Sequence, residues 1–169
     1  MIQAIRWEDD GVVLLDQRQL PAKEIHRRYS TVESLADAIR TLVVRGAPAI
    51  GITAAMGVAM GFQKLRNSPN PDRDFDRICS LLQNTRPTAR NLFWAIERMQ
   101  HSYRACKDGC FEDISHRLID EALAIQQEDL EVNIRIGRIG QSLLPDPVAV
   151  LTYCNTGALA TGGYGTALG

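Results

Sequence analysis

The sequence has no excess of charge of either sign: 19 Lys and Arg residues stand against 20 Asp and Glu residues, and the formal net charge is -1. Nucleic acids and anionic membranes usually select a basic surface, so this balance argues against both as the main partner and leaves room for a local cationic pocket only. Apolar runs are short, and none approaches the roughly 18 residues that span a bilayer. We therefore expect no nucleic-acid partner and no membrane partner.

An export signal and a regular cysteine framework are also missing. The N-terminal stretch MIQAIRWEDD turns acidic at Glu8, whereas a signal peptide begins with basic residues and continues with an apolar segment. The four cysteines, Cys79, Cys106, Cys110 and Cys154, are scattered through the chain. Without an export signal reduced thiols are expected, so the sequence predicts a cytoplasmic protein.

Signatures for metals and nucleotides are absent as well. Cys106 and Cys110 flank a turn, but the second close pair of ligands that a structural zinc site needs is missing. The spacing of the C-terminal glycines does not match a dinucleotide fingerprint, and there is no Walker-type lysine. We interpret both cysteines as ordinary thiols and expect neither a metal nor a cofactor.

The composition that remains, with 45% hydrophobic and 23% charged residues, is that of a soluble globular protein. Residues 2–21 predict a β-hairpin that turns at residues 9–11. The next segment predicts a helix that begins with a capping box between Ser30 and Glu33 and ends in a left-handed turn at Gly46.

A second predicted helix begins at Pro48, where the missing N–H of proline costs nothing. This helix consists mostly of Ala, Gly, Ile, Val and Met, and Gly57 and Gly61 leave one side of it almost bare. We therefore expect close approach by a neighbouring element and burial nearly all round. Residues 67–74 predict a polar surface loop, and residues 75–83 a short helix.

The rest of the chain predicts two more helices and a strand. One helix starts at Pro87, directly after Arg86, and a long helix follows from residue 111 until the prolines of residues 145–147. Residues 148–154, VAVLTYC, lack polar alternation and lie between a turn and a loop. This pattern is typical of a strand that is buried on both faces of a parallel sheet.

Two arginines precede predicted helix starts, Arg45 within the apolar stretch VVRGAPAIG and Arg86 before Pro87. A helix N-terminus offers unpaired N–H groups and a partial positive charge, and a guanidinium adds a fork that fits phosphate oxygens. The small residues Gly46 and Ala47 would let an anion approach the backbone. The alternative is that each arginine pairs with a surface acid, and the sequence leaves both interpretations open.

Cys154 ends the predicted strand and precedes the glycine-rich segment NTGALATGGYGTALG. In open α/β sheets ligands collect at the carboxyl ends of the strands, where a thiol with a lowered pKa could transfer protons. The alternative is a small buried hydrophobic residue, as many cysteines are. Along the long helix, Asp129 and Asn133 share a face close to Glu128, either in a helix-to-helix polar network or on a solvated edge.

Three stretches, VVRGAPAIGITAAMGVAMG, TRPTARNLFWAIERM and LTYCNTGALATGGYGTALG, together resemble the methylthioribose-1-phosphate isomerase family. Its superfamily also contains regulatory subunits of translation initiation factor 2B and ribose-1,5-bisphosphate isomerases. The resemblance extends over essentially the whole chain. It implies an aldose–ketose isomerase of methionine salvage that acts on 5-methylthioribose 1-phosphate, needs no cofactor and forms a homodimer.

The resemblance also implies a fold of the α/β (α+β) class and a set of site residues. Residues 1–145 are expected to form a mainly helical domain with a β-hairpin, and residues 146–169 the first strand and glycine-rich loop of a Rossmann-like domain that is incomplete here. The catalytic cysteine of the family falls on Cys154. The substrate-binding positions fall on Arg45, Gly46, Ala47, Arg86, Asn155, Thr156 and Gly157.

The sequence departs from the family in one respect. The second catalytic residue of the family is an aspartate in the later domain, and residues 1–169 contain no match for it. We therefore expect residues 1–169 alone to be inactive. Two alternatives on the same scaffold are a ribose-1,5-bisphosphate isomerase and a non-enzymatic regulatory subunit. The regulatory subunit would have no need of the thiol of Cys154.

Overall fold

The fold combines a small antiparallel sheet with a group of packed helices, in a computed structural model that describes residues 3–169. The mixed α/β class predicted from the sequence is confirmed, and one segment forms a sheet strand that was not predicted. The strands are β1 (Ile5–Glu8), β2 (Gly11–Leu15) and β3 (His26–Tyr29), and the helices are α1 (Val32–Arg40), α2 (Ala47–Gln63), α3 (Pro71–Gln83), α4 (Arg90–Cys106) and α5 (Phe111–Gly140). Short 3-10 turns follow at Gln141–Leu143 and Ala158–Ala160.

The predicted hairpin is confirmed as β1 and β2, which pair antiparallel with Ile5 opposite Leu14. β2 is the central strand and is buried throughout its length, which suits its sequence GVVLL. The strand missed by the sequence analysis is β3, which pairs with the other edge of β2 and places Tyr29 opposite Val12. Its sequence HRRY is exposed or half-buried, so it carries no alternation that would indicate a strand.

Both ends of α1 differ from the prediction. The N-cap is Thr31, whose hydroxyl accepts the N–H of Ser34, so Ser30 and Glu33 form no capping box. The left-handed residue after the helix is Leu42, at φ 63°, and not Gly46. Because the chain leaves the helix early, Val43 and its neighbour Val44 both enter the core.

α2 is the buried centre of the domain, as the sequence predicted. Pro48 lies in its first turn, and residues 49–62 are all buried. The helices α1, α3, α4 and α5 all pack on it. Close approach depends on its glycines, because a Cβ on Gly51 would lie 2.8 Å from the carbonyl oxygen of Asn91, and a Cβ on Gly57 would lie 2.8 Å from Leu35.

Two helix starts and the C-terminal segment also need correction. α3 begins at Pro71, inside the predicted loop, because Asn70 caps it by accepting the N–H of Arg73. α4 begins at Arg90, and Pro87 lies in the turn before it. Residues 148–154 form no strand and are exposed. A parallel strand needs hydrogen-bonded neighbours and cover on both faces, and no part of residues 3–169 supplies a neighbouring strand there.

One carboxylate is buried at the end of β2. The Asp16 side chain is 0% exposed, yet it receives the guanidinium groups of Arg18 at 2.7 Å and Arg27 at 3.1 Å. The hydrogen bond from the Arg18 side chain lowers the pKa of Asp16 to about 2, against the opposing effect of burial. This ion cluster holds the chain in place where it leaves the sheet. Within residues 3–169 no helix has the length and apolarity to cross a membrane.

Gly51→Ala should destabilise the chain because the added methyl group meets the backbone carbonyl of Asn91, which cannot move away as a side chain could. We expect the free energy of unfolding to fall by about 1–2 kcal/mol, after the gain in helix propensity is subtracted. The measurement is the urea unfolding midpoint. Gly140→Ala is the matched control, since nothing lies within 4 Å of its Cβ position. Equal stability of the two variants would contradict the close-approach argument.

Asp16→Asn should lower the free energy of unfolding by about 2 kcal/mol at neutral pH, because the charge-assisted bonds to the two arginines are lost. A pKa that is lower in the folded state than its ordinary value of 3.8 contributes stability above that value and loses it as the pH falls. The difference between wild type and variant should therefore be constant above pH 3.8 and shrink as the pH falls towards about 2. Unfolding titrations at several pH values measure it, and a difference independent of pH would contradict the assignment.

Candidate functional site

The N-terminus of α2 forms the first wall of the candidate site. Arg45 is exposed, Gly46 is buried at φ 98°, and Ala47 begins the helix. The carbonyl of Gly46 accepts the N–H of Ile50 at 3.0 Å, which closes the first turn. Pro48 has no N–H, and the N–H groups before Ile50 in that turn have no partner inside the helix and carry its partial positive charge. This end of α2 therefore has the backbone geometry that binds anions.

The glycine-rich segment lies directly against this helix start and forms the second wall. Its 3-10 turn at Ala158–Ala160 follows Gly157, which has φ 88°. A Cβ on Gly46 would lie 2.5 Å from the Cα of Ala160, so glycine is the residue that permits this contact. Ala160 and Thr161 are buried, at 3% and 1% exposure. The structure thus brings together two stretches that the sequence analysis singled out separately.

Three side chains, two of them on α5, hold the glycine-rich segment by its backbone. The carboxylate of Asp129 accepts the N–H of Gly162 at 2.6 Å, and the amide of Gln126 donates to the Gly162 carbonyl at 3.4 Å. The amide of Gln17 donates to the Leu159 carbonyl at 2.7 Å. Burial raises the pKa of Asp129, and the bond from the Gly162 N–H opposes that shift. Sequence reasoning did not identify these three roles, because polar residues that bind backbone groups leave no spacing pattern.

The residues expected at the chemical step lie before this turn. Cys154 and Asn155 are exposed, and Thr156 and Gly157 are half-buried. Among residues 3–169, the hydrogen bonds and ion pairs do not join Cys154 to Arg45 or Arg86. The structure places Ala160, in the turn after Gly157, beside Gly46, whereas the thiol of Cys154 is exposed.

The two candidate arginines differ in position. Arg45 adjoins the α2 start, whereas Arg86 is half-buried in the turn between α3 and α4 and not directly at a helix N-terminus as predicted. The prediction that both arginines directly precede a helix start is therefore confirmed for Arg45 and wrong for Arg86, because a separate turn lies between Arg86 and α4. None of the ion pairs within the described residues includes either arginine, so pairing with a surface acid does not explain them.

A cleft of about 300 Å³ opens next to the first turn of α2, between α4 and α5. Trp94 is 49% exposed on its wall. The guanidinium of Arg98 lies 5.6 Å from the Trp94 ring centroid. Asn91, Trp94 and Arg98 share one face of α4, and this helical spacing was the available signal that Trp94 lies at a polar edge.

Glu128 belongs to a network between helices, one of the two alternatives that the sequence left open. Its neighbours differ, because Asp129 bonds Gly162 of the glycine-rich segment and Asn133 donates to the Asp129 carbonyl of its own helix. Arg98 on α4 binds Glu128 on α5 with an Nη2–Oε1 distance of 2.7 Å, and it also binds Glu121. The Glu128 carboxylate has a pKa below its ordinary value because Arg98 donates hydrogen bonds to it. These bonds fix α4 against α5 along one side of the cleft.

A comparison with protein-family models identifies the class of protein to which this domain belongs. The family model described as the initiation factor 2 subunit family matches residues 43–167. The match begins just before the α2 start and includes nearly all of the glycine-rich segment. The chain therefore belongs to the initiation factor 2 subunit family.

Relatives in sequence carry the name methylthioribose-1-phosphate isomerase. The protein of that name from Trichlorobacter lovleyi is 47% identical over 169 residues, which is 99% of this chain and 49% of that protein. The protein of that name from Koribacter versatilis is 46% identical over 171 residues, which is 100% of this chain and 48% of that protein. The chain thus spans about half the length of these relatives.

Two solved structures resemble this one. The 5-methylthioribose 1-phosphate isomerase from Pyrococcus horikoshii OT3 has a TM-score of 0.88 and 35% identity, and covers 98% of this chain and 47% of its own. The translation initiation factor eIF-2B, subunit delta, from A. fulgidus has a TM-score of 0.86 and 40% identity, and covers 99% of this chain and 49% of its own. The fold is therefore shared by proteins with both names.

Gly46→Ala should displace the glycine-rich segment, because an alanine at φ 98° is strained and its methyl group would overlap Ala160. We expect a loss of about 3 kcal/mol in the free energy of unfolding. Hydrogen exchange at residues 157–162 should also become faster. Gly140→Ala, on open helix surface, is the control. Unchanged exchange at residues 157–162 in Gly46→Ala would contradict the contact.

Proposed function

We propose that the protein containing this chain is an aldose–ketose isomerase of methionine salvage, which converts 5-methylthioribose 1-phosphate to 5-methylthioribulose 1-phosphate. The observation that carries the proposal is the 47% identity, over 99% of this chain, to a protein named methylthioribose-1-phosphate isomerase. The contact between Gly46 and Ala160, which joins an anion-binding helix start to the segment that follows Cys154, supports it independently.

The chemistry of the substrate suits these residues. Phosphate on the anomeric oxygen prevents the sugar ring from opening as a free hemiacetal does. An acid must therefore assist cleavage of the ring C–O bond, and hydrogen must then move between C1 and C2. We assign phosphate binding to Arg45, Gly46, Ala47 and Arg86.

We assign one proton-transfer role to Cys154, with Asn155, Thr156 and Gly157 as further substrate contacts. A carboxylate would supply the second proton-transfer role, and we assign no residue of 1–169 to it. Isomerisation leaves no net change of oxidation state, so the reaction needs no redox cofactor, and the proposal assigns no metal to the site.

The domain division is part of the proposal. Residues 1–145 would form the N-terminal domain, and residues 146–169 would begin a Rossmann-like domain in which 148–154 becomes the first strand. Leu151 and Tyr153 are 99% and 106% exposed, and neighbouring strands and helices of such a domain would cover them. The proposed assembly is a cytoplasmic homodimer.

A second candidate is a non-enzymatic regulatory subunit that keeps a sugar-phosphate or nucleotide pocket. It is favoured by the 40% identity to the solved structure of the translation initiation factor eIF-2B, subunit delta, from A. fulgidus. Cys154 distinguishes the two functions, because a protein that only binds its ligand and transmits this to a partner needs no thiol at that position.

Isomerase activity with 5-methylthioribose 1-phosphate should depend on Cys154 and Arg45 in different ways. In the full-length protein, Cys154→Ser should lower kcat at least about 100-fold with little change in KM. Arg45→Ala should weaken binding by about 2–4 kcal/mol, because its charge-assisted bonds to phosphate are lost. Arg77→Ala is the control, since its side chain is 73% exposed and its ion pair with Asp74 is within one helix.

The substrate comparison separates the alternatives. Turnover of ribose 1,5-bisphosphate, with none of 5-methylthioribose 1-phosphate, would assign the protein to the bisphosphate enzymes. Turnover of neither sugar phosphate by the full-length protein would contradict the isomerase proposal and favour the regulatory subunit. Full activity of Cys154→Ser would leave the isomerase in place and remove Cys154 from the chemistry.

A further inference from the structure

Gln17 is bonded to both walls of the candidate site. Its backbone N–H donates to the carbonyl of Val43 at 3.0 Å, just before Arg45 and Gly46. Its side-chain amide donates to the carbonyl of Leu159 at 2.7 Å, in the 3-10 turn of the second wall. One residue therefore connects two segments that are far apart in sequence, and it does so through two short hydrogen bonds.

The position of Gln17 is itself well determined. Asp16, directly before it, is buried and held by Arg18 and Arg27, and its N–H donates to the carbonyl of Ile25 at 2.8 Å. The backbone at Gln17 is thus fixed on one side by the ion cluster and on the other by Val43. The half-buried side chain extends from this fixed backbone, so its amide presents a donor at a defined point.

The bond to Leu159 acts on the part of the second wall that lies towards Cys154. Further along, Gly162 is held independently by Asp129 and Gln126, and Ala160 rests on Gly46. Loss of the Gln17 amide would leave those contacts intact. It would release Leu159, which among the described residues is the position nearest in sequence to Gly157 and Cys154 that a side chain from outside the glycine-rich segment holds.

We propose that Gln17 is a positioning residue of the candidate site, which sets the separation between the α2 start and the segment of Cys154–Gly157 by tying Leu159 to Val43. It acts through the Leu159 carbonyl and not through the substrate. The expected effect on turnover rests on the proposed function, whereas the expected effect on the segment does not. The proposed function and the positioning role of Gln17 can therefore be disproved independently.

The first test is hydrogen exchange in the full-length protein. The Ala160 N–H donates to the Gly157 carbonyl at 3.0 Å and reports on this turn. Gln17→Met keeps the size of the side chain and removes the donor, so exchange across residues 157–161 should become at least several-fold faster, while α2 and α5 keep their wild-type rates. Gln127→Met is the matched control, because Gln127 is exposed and its amide donates to the carboxylate of Glu131 on the same helix.

The second test is a series of substitutions read by steady-state kinetics. Gln17→Met should lower kcat about 10- to 100-fold, because a small displacement of the reacting group is enough for such a loss, and kcat should fall more than KM rises. Gln17→Glu should be worse, since a carboxylate oxygen would face the Leu159 carbonyl oxygen. Gln17→Lys keeps a donor and should restore part of the activity that Gln17→Met loses.

The outcomes are distinct. Faster exchange confined to residues 157–161, with Gln17→Lys closer to wild type than Gln17→Met, supports the positioning role. Exchange in Gln17→Met equal to that in Gln127→Met overturns it, and so does faster exchange spread over α2 and α5, which would show a purely structural role. If the wild-type protein turns over no sugar phosphate, the proposed function fails, and the exchange data alone decide on Gln17.

Discussion

The close packing of a nearly bare, buried helix is the constraint on which the rest of the structure depends. α2 is covered by α1, α3, α4 and α5, and its glycines permit contact distances that any Cβ would prevent. Such a helix cannot shift without disturbing every neighbour, since packed interiors are dense and tolerate added volume poorly. Its N-terminus is therefore a rigid reference point, and this is the end at which Arg45, Gly46 and Ala47 lie.

The same property that buries α2 also creates the candidate site. Gly46 combines a positive φ with the absence of a side chain, so the chain can turn into the helix while Ala160 rests against it. A larger residue would separate the two walls, and the unpaired N–H groups of the first helical turn would no longer lie beside the glycine-rich segment. Gly46 is therefore required both for the steric contact with Ala160 and for the position of the N–H groups that favour an anion.

Hydrogen bonds from polar side chains hold the elements around α2 in position. Asp129 and Gln126 hold Gly162, and Gln17 holds Leu159, each through a backbone group that would otherwise lack a partner in a partly buried loop. Arg98 joins α4 to α5 beside the cleft. Together these side chains determine where the backbone of the two walls lies, although none of them needs to touch a ligand.

The sequence by itself determined what depends on neighbouring residues: the hairpin of β1 and β2, the start of α2 near Pro48, the burial of that helix and the two stretches that form the walls. Only the tertiary structure decided what depends on distant partners. β3 exists because β2 offers it an edge, and Trp94 lies on a cleft wall because α5 forms the other wall of that cleft. Ala160 lies against Gly46 because α5 and Gln17 hold its loop there. The spacing of neighbouring residues predicts local structure, because the residues that form it are close in sequence. The hydrogen bond between residues 17 and 159 cannot be predicted in this way, because neither segment has a sequence pattern that depends on the other.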